Sequence, residues 1–452
     1  MKKTYKKALF LFRRDLRLED NTALLFALKQ AEEVIPAFIF TPEQIEKNRY
    51  RSDRCLQFMI ESLEDLQEEL KAKGGKLYLF FDHPQKIVEE CLHKLKVDLV
   101  AVNRDYTPYS IDRDQKIETV CKKNGIDFLS FHDALLHAPE DVLKADGKPY
   151  TIFTPYYRVA SQIPVKKAES NQRSNYFKGP IGFAKSESIF SKILPKRAPQ
   201  TPGGRKSALK LLKQDVSSYL ANRDFPAKDK TTHLSAHLKF TTISPREVYS
   251  AFHRHALFLR SLYWRDFFTS IGYFFPHVFG KAFRPAFDGL SWENDKERFR
   301  RWCEGMTGFP IVDAGMRELN QTGFMHNRVR MIAASFLIKD LHIDWRLGEK
   351  YFAEHLIDYD PAVNNGNWQW VASTGCDAQP YFRIFNPWTQ QEKFDPDAEY
   401  ISRWIPELAF LPPEIIHKWH LQTKDPKSAY PSPMVDHAKE AKKALLSYKR
   451  RV

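Results

Sequence analysis

Five short apolar runs in the first 131 residues constrain this chain more than any other feature. They are ALFLF (8–12), VIPAFIF (34–40), KLYLFF (76–81), DLVAV (98–102) and DFLSF (127–131). Each is of strand length and nearly continuous in apolar residues, the pattern of strands buried on both faces. Helical patterns lie between them, clearest at 54–75, where Leu56, Met59, Ile60, Leu63, Leu66 and Leu70 recur at helical spacing and Gly74–Gly75 end the run. Repeated β–α units of this kind predict a parallel sheet covered by helices, a Rossmann-like α/β domain over 1–133. No GxGxxG follows the first strand and no GxxxxGKS or GxxxxGKT occurs, so the layout comes without a phosphate fingerprint.

Composition changes after that. Residues 161–210 hold 11 Lys+Arg against 2 Glu, with Pro164, Pro180, Pro195, Pro199 and Pro202. This reads as a basic connection draped over the surface, and the expected interdomain linker is 134–206. From Ser207 the apolar spacing is three and four residues throughout, and Ser244-Pro245 and Gly323 mark a helix start and a helix end. The expectation for 207–452 is an all-α domain.

Residues 1–133 carry 23 Lys+Arg and 23 Asp+Glu, so the whole net charge of +14 lies in 134–452. A basic part joined to a neutral one points to a polyanionic partner, nucleic acid first, although a basic solvated surface explains charge alone equally well. Cys55, Cys91, Cys121, Cys303 and Cys376 form no CxxC pair, which argues against a disulfide framework and a zinc site. No apolar run approaches the ~18–20 residues of a membrane span. The amino-terminal stretch Ala8 to Phe12 is too short for a signal-peptide core, so a cytoplasmic protein is expected.

The segment PAVNNGNWQWVASTG (361–375) puts two tryptophans beside three amides. Alone, Asn-Asn-Gly is a turn signal. Together with the following STGCDAQPYFRIFNPWTQQEKFDP, it resembles the photolyase/cryptochrome family, on its cyclobutane-dimer photolyase branch of the class I/III kind. FRRDLRLEDNTAL (12–24), RDFPAKDKTTHLSAHLKFTTISPRE (223–247), YWRDFF (263–268) and TGFPIVDAGMRELNQTGFMHNRVRMIAASFLIKDLHIDWRLGE (307–349) carry the likeness, in the family's order, nearly end to end.

The resemblance implies FAD in the helical domain, often with a second, antenna pigment in the α/β domain; that pocket takes methenyltetrahydrofolate, a deazaflavin or a flavin in the family, or stays empty. It implies light-driven splitting of cyclobutane pyrimidine dimers in UV-damaged DNA by an electron from excited reduced FAD, carried out by a monomer. The cofactor does the chemistry, and the protein positions, tunes and excludes. Asn364 matches the residue beside flavin N5, where a neutral amide both donates and accepts. Trp368, Trp345 and Trp292 match a tryptophan chain from flavin to surface, although core packing accounts for most tryptophans.

Further contacts follow from the same likeness. Tyr219, Thr231, Thr232, His233, Leu234 and Ser235 match the phosphate side of the flavin, and Phe258, Arg265, Asp358, Tyr359 and Asp360 other flavin contacts. Asn327 and Arg330 sit where the family meets flavin. Trp264 and Trp370 match two indoles that enclose the flipped dimer, a setting that suits stacking walls. Met331, Arg328, Arg223, Gln390 and again Asn327 match contacts to the lesion or its strand. Taken singly, these residues would be helix caps, surface charges or, for Arg265 and Asp266, an ordinary helix-face pair.

This chain departs from the family at three places. Ser261 stands where dimer photolyases usually carry a Glu whose carboxyl bonds the lesion's base edges; His233 replaces a common Arg and Thr241 a common Gly. The (6-4) branch has a His-His pair where His326-Asn327 stands and a His at Met331, so the acid/base chemistry of that repair is missing. The rival reading is a cryptochrome photoreceptor with weak or no repair. Ser261 favours it, and the short carboxy-terminal SPMVDHAKEAKKALLSYKRRV, read as little or no signalling tail, disfavours it.

Overall fold

A computed structural model describes residues 3–46, 48, 50–183, 201–422 and 429–451. These fall into two compact units, one of residues 1–215 with 232–276, the other of 216–231 with 277–452. This division differs from one drawn at 133/134 and 206/207.

In the first unit the five apolar runs are five strands: β1 (Tyr5–Phe12), β2 (Ala31–Phe40), β3 (Tyr78–Phe81), β4 (Leu99–Asn103) and β5 (Asp127–Phe131). All neighbours pair parallel in the order β3-β2-β1-β4-β5, with Leu9 opposite both Ile35 and Val100. Ala8 to Phe12 and Leu99 to Asn103 are buried along their whole length, as expected of strands with both faces covered. Helices Thr22–Gln30, Asp53–Ala72, Pro84–Leu95 and Pro108–Lys123 supply the crossovers. Asn21, Ser52 and Thr107 cap three of them by accepting from backbone N–H groups of the first turn.

β2 carries a proline away from the sheet edge. Pro36 shares the side of Val34, whose N–H donates to Asn175 O at 2.9 Å and whose carbonyl accepts from Phe177 N at 2.8 Å. The β3 ladder begins only at Ala37–Tyr78, so the missing N–H of Pro36 falls in the gap. The stretch 161–183, read as draped linker, is therefore tied to the sheet: Tyr176 bridges Val34 and is buried. Its side chain occupies the space that a Cβ on Gly75 would need, 2.9 Å away. Residues 184–200 of the linker reading lie outside the described residues.

The FRRDLRLEDN motif closes the carboxyl ends of β1 and β4 with its own polar side chains. Asn103 donates to Asp15 and Asn21, and Arg17, wholly buried, donates to both oxygens of Asp133 at 2.9 and 2.8 Å. Arg246 joins Asp20 and Asp133, each at 2.8 Å. Burial works to raise the Asp133 carboxyl, but the guanidiniums of Arg17 and Arg246 outweigh it and hold it well below the usual carboxylate range. This network, and the packing of helix Ala256–Phe274 on helix Phe153–Ala160, put residues 232–276 in the first unit.

The second unit is helical, with no strand among its described residues. Helices Pro310–Thr322, Asn327–Ser335, Trp345–His355 and Pro361–Ala372 surround one apolar core, and Asn327–Ser335 runs on into a π-helical turn, Phe336–Asp340. Gly323 ends the first of these at φ 76°, a left-handed position suited to glycine. The carboxy-terminal stretch is structured: His437–Lys449 is a helix whose Tyr448 is buried and donates to Ala372 O at 2.7 Å.

Candidate active site

The amide-rich segment is helix, not turn. Asp360 caps Pro361–Ala372 by accepting from Ala362 N and Val363 N, and Pro361 occupies the first turn, where its lost N–H costs nothing. The turn signal is overridden because the amides find tertiary partners. Asn364 Nδ2 donates to Glu349 O at 3.1 Å, Asn365 Nδ2 to Val278 O at 2.9 Å, and Gln369 Nε2 to Val278 O and Lys281 O, both at 3.1 Å.

Helical spacing then sorts the tryptophans. Trp368 follows Asn364 by one turn and is 2 % exposed. Trp370, about 200° further round at 100° per residue, is half-buried. Gly348 makes room for Trp368: a Cβ there would lie 2.2 Å from the indole and 2.5 Å from Leu337. Trp345 stands one turn before Gly348 on the same helix and is 1 % exposed; Trp292 is half-buried against the same core. Three indoles of the expected chain thus share one core, the third reaching solvent. Trp302, which the sequence reading passed over, lies in that core with its ring 6.4 Å from Trp368 and its Nε1 donating to Ala333 O.

Around this helix, Arg330 donates to both oxygens of Asp358, at 3.2 and 3.0 Å, and to Met325 O. Tyr359 packs on the core. Burial pushes the Glu349 carboxyl up to about 7, against the hydrogen bond of Asn364 and the charge of Arg346, which lower it. Nothing in WRLGEKYF distinguishes Glu349 from a surface helix acid, so sequence reasoning missed it. Asn327 is exposed, with its Nδ2 3.9 Å from Met331 Sδ. Arg328 pairs with Asp224 at 2.8 Å and lies over Phe394. His326 caps the same helix, and burial pushes its imidazole down to about 4, so it is neutral at ordinary pH. Arg223 lies over Tyr219 at 5.6 Å, and Gln390, on helix Pro387–Phe394, has a buried Oε1 without a partner.

The remaining candidates belong to the first unit, apart from Thr231, which is the last residue of the second unit's 216–231 segment. Thr232 and Leu234 are buried, Ser235 is exposed at the start of the short helix Ser235–Lys239, and His233 has φ 52°. Thr241 is held at φ 35°, a strained setting for a β-branched residue and one that a glycine would adopt freely. Its hydroxyl donates to Arg14 O at 2.7 Å and its carbonyl accepts from Arg17.

Phe258 is buried against Phe252. Arg265 donates to Ala134 O and Leu238 O, so much of its fork is committed to backbone. Asp266 accepts from Leu136 N, and burial pushes it up to about 7, although the Arg265 charge lowers it. Trp264 stacks on Phe153 with ring centroids 3.7 Å apart and planes 7° apart. Ser261 is exposed and turns its hydroxyl back to Phe258 O.

Within the second unit, the fixed neutral amide of Asn364 and the guanidinium-held carboxylate of Asp358 are groups of the kind that suit a flavin, and Thr231 adds a hydroxyl; in the first unit, Thr232 and Ser235 carry hydroxyls. Among the described residues no group of His, Cys, Asp and Glu could hold a metal ion, and no helix is long and apolar enough to cross a membrane.

Residues 8–172 match the family model for DNA photolyase, and residues 258–450 match that for the FAD binding domain of DNA photolyase. The chain is 39% identical to the deoxyribodipyrimidine photo-lyase of Agrobacterium fabrum, over 97% of this chain and 96% of that one. An archaeal photolyase from Sulfolobus tokodaii, solved with two FAD molecules, superposes with TM-score 0.92 at 45% identity, covering 98% of this chain and all of that one. A Synechocystis cryptochrome superposes with TM-score 0.89 at 26% identity, covering 99% and 100%.

Proposed function

The chain belongs to the DNA photolyase family, and from that premise we propose that it is a light-driven DNA repair lyase that splits cyclobutane pyrimidine dimers. The observation that carries this is near-complete coverage by deoxyribodipyrimidine photo-lyases, two of them at 38% and 39% identity. Reduced FAD, when bound, would supply on excitation the electron for opening the cyclobutane ring.

The chain's own residues do the rest. Asn364, pinned by Glu349 O, would present a neutral amide of fixed orientation to the flavin, and Arg330 fixes the Asp358 carboxylate, the other flavin contact of this unit that the likeness assigns. Thr231, Thr232 and Ser235 offer hydroxyls, and Tyr219, His233, Leu234, Phe258, Arg265, Tyr359 and Asp360 complete the cofactor's surroundings. Trp292, Trp345 and Trp368 pass an electron inward from the surface. Trp264 and Trp370 wall the flipped dimer with Met331, while Asn327, Arg328, Arg223 and Gln390 meet its strand. The basic charge of 134–452 engages DNA phosphates, so affinity falls as salt rises. The protein acts as a cytoplasmic monomer. A second pigment sits in the α/β unit, and the Sulfolobus protein's second FAD makes a flavin the favoured choice.

Ser261 supports a second reading, a cryptochrome photoreceptor, because its hydroxyl is turned to Phe258 O and offers no carboxyl to a lesion. One assay separates the two. Reduced protein is mixed with a duplex carrying a single thymine dimer, and blue light is compared with darkness. Light-dependent return of intact thymines is the expected result; survival of the dimer beside normal photoreduction would favour the receptor.

A further inference from the structure

Trp264 is one rung of a longer stack. Phe153, buried at 1 % exposure, lies flat against it, and Tyr157 follows at 5.8 Å with planes 17° apart. Arg260, one helical turn before Trp264, lays its guanidinium over Phe153 at 5.2 Å and over Tyr157 at 5.4 Å. A guanidinium resting on ring faces keeps its N–H groups directed outward in its own plane, where a phosphate can take two of them.

Among the described residues no acid is paired with that charge. Helix Phe153–Ala160 contains no Asp or Glu, and residues 253–265 contain none either. The next carboxylate, Asp266, is buried and already accepts from Leu136 N and His137 N. Among the described residues Arg260 has no carboxylate partner, and Arg158 and Arg254 stand exposed on the same two segments, likewise unpaired. A carboxylate at position 261 would add a negative charge to this patch; the exposed Ser261 does not. An aromatic stack edged by an uncompensated, half-buried arginine is a surface that suits nucleic acid, with a base on a half-buried outer ring and a phosphodiester on the cation.

We propose that Arg260 is a DNA-phosphate contact, anchored on Phe153 and Tyr157, that takes the phosphodiester adjoining the dimer walled by Trp264. The proposal rests on the reading of Trp264 as a lesion wall. It gives this chain a charge-based hold on the strand at the edge where Ser261 has removed the base-edge carboxyl.

The test is equilibrium binding of the flavin-loaded protein to a duplex with one thymine dimer and to the same duplex undamaged, across a salt series. Arg260→Gln is expected to weaken both complexes by the same factor, about 5-fold to 10-fold at low salt, and to lower the log–log salt slope by about one. Arg260→Lys keeps the charge but loses the planar stack, and is expected to retain the slope with weaker binding. An Arg260→Gln slope equal to wild type overturns the proposal. So does a loss confined to the dimer-bearing duplex with the slope intact, because the residue would then act only by setting Trp264. Trp264→Ala separates the premise: if it leaves the preference for the dimer unchanged, the wall reading falls, and with it the place of Arg260 beside the lesion. If it abolishes that preference while Arg260→Gln does nothing, only the phosphate contact is lost.

Discussion

The amide of Asn364 donates to the backbone carbonyl of Glu349 at 3.1 Å, joining helices Pro361–Ala372 and Trp345–His355 at the residue proposed to face the flavin. Asn364→Asp would replace that donor with a carboxylate aimed at a carbonyl, beside the Glu349 carboxyl. The expected cost is about 2–3 kcal/mol at pH 8, from an unpaired, partly buried charge. Thermal unfolding at pH 8 and pH 5 checks this: the loss shrinks at pH 5 if charge is the cause, and an equal loss at both would show that packing is.

Glu349 itself sets a pH dependence. Burial lifts its folded-state pKa from an ordinary 4.5 to about 7. The stability linked to that proton is fully present below about pH 4.5 and is lost as pH rises through about 7. Glu349→Gln is therefore expected to gain in midpoint over wild type as pH rises from 5 to 8, with no gain below pH 4.5. A difference that stays constant across that range would place the titration elsewhere.

Gly348 tests the indole packing. Alanine in a helix interior normally adds about 1 kcal/mol over glycine. Here its Cβ would meet Trp368 at 2.2 Å, and overpacking of this kind costs about 1–3 kcal/mol. Gly348→Ala should thus lower the midpoint, change the near-UV circular dichroism of the buried indoles, and slow light-driven reduction of the bound flavin several-fold. Unchanged photoreduction with a changed indole spectrum would remove Trp368 from the electron path.

These residues also mark what the sequence could tell. The five strands were legible because a parallel sheet buries both faces, so ALFLF and DLVAV read as unbroken apolar runs. Gly323 and the Ser244-Pro245 cap were legible because they act locally. The helix at 361–372 was not, because it is held by side-chain bonds to Val278, Lys281 and Glu349, which the local Asn-Asn-Gly signal cannot report. Tyr176 and Arg246 were hidden for the same reason: each reaches a partner more than a hundred residues away. Asn364 and the three indoles are singled out only by the likeness of long motifs. Glu349 and Arg260, whose settings come from burial and from neighbouring rings, had no motif to announce them.

Asp133 carries the last expectation. Its carboxylate takes Arg17 and Arg246 together, with both Arg17 and Asp133 wholly shut off from solvent. Removing one partner of such a group leaves buried charge uncompensated, at a cost of about 3–5 kcal/mol. Asp133→Asn leaves the Arg17 guanidinium without a carboxylate and takes from Arg246 one of its two, Asp20 being the other, and should destabilise the α/β unit by about that amount at pH 7. Because the folded-state pKa is depressed, the stability that Asp133 contributes is present above the ordinary carboxylate range and is lost as pH falls through and below it. Wild type should therefore lose midpoint steeply on acidification below about pH 4, and Asp133→Asn less steeply. Far-UV melts from pH 7 to pH 3 measure both slopes, and parallel slopes would mean that acid lability has its origin outside this network.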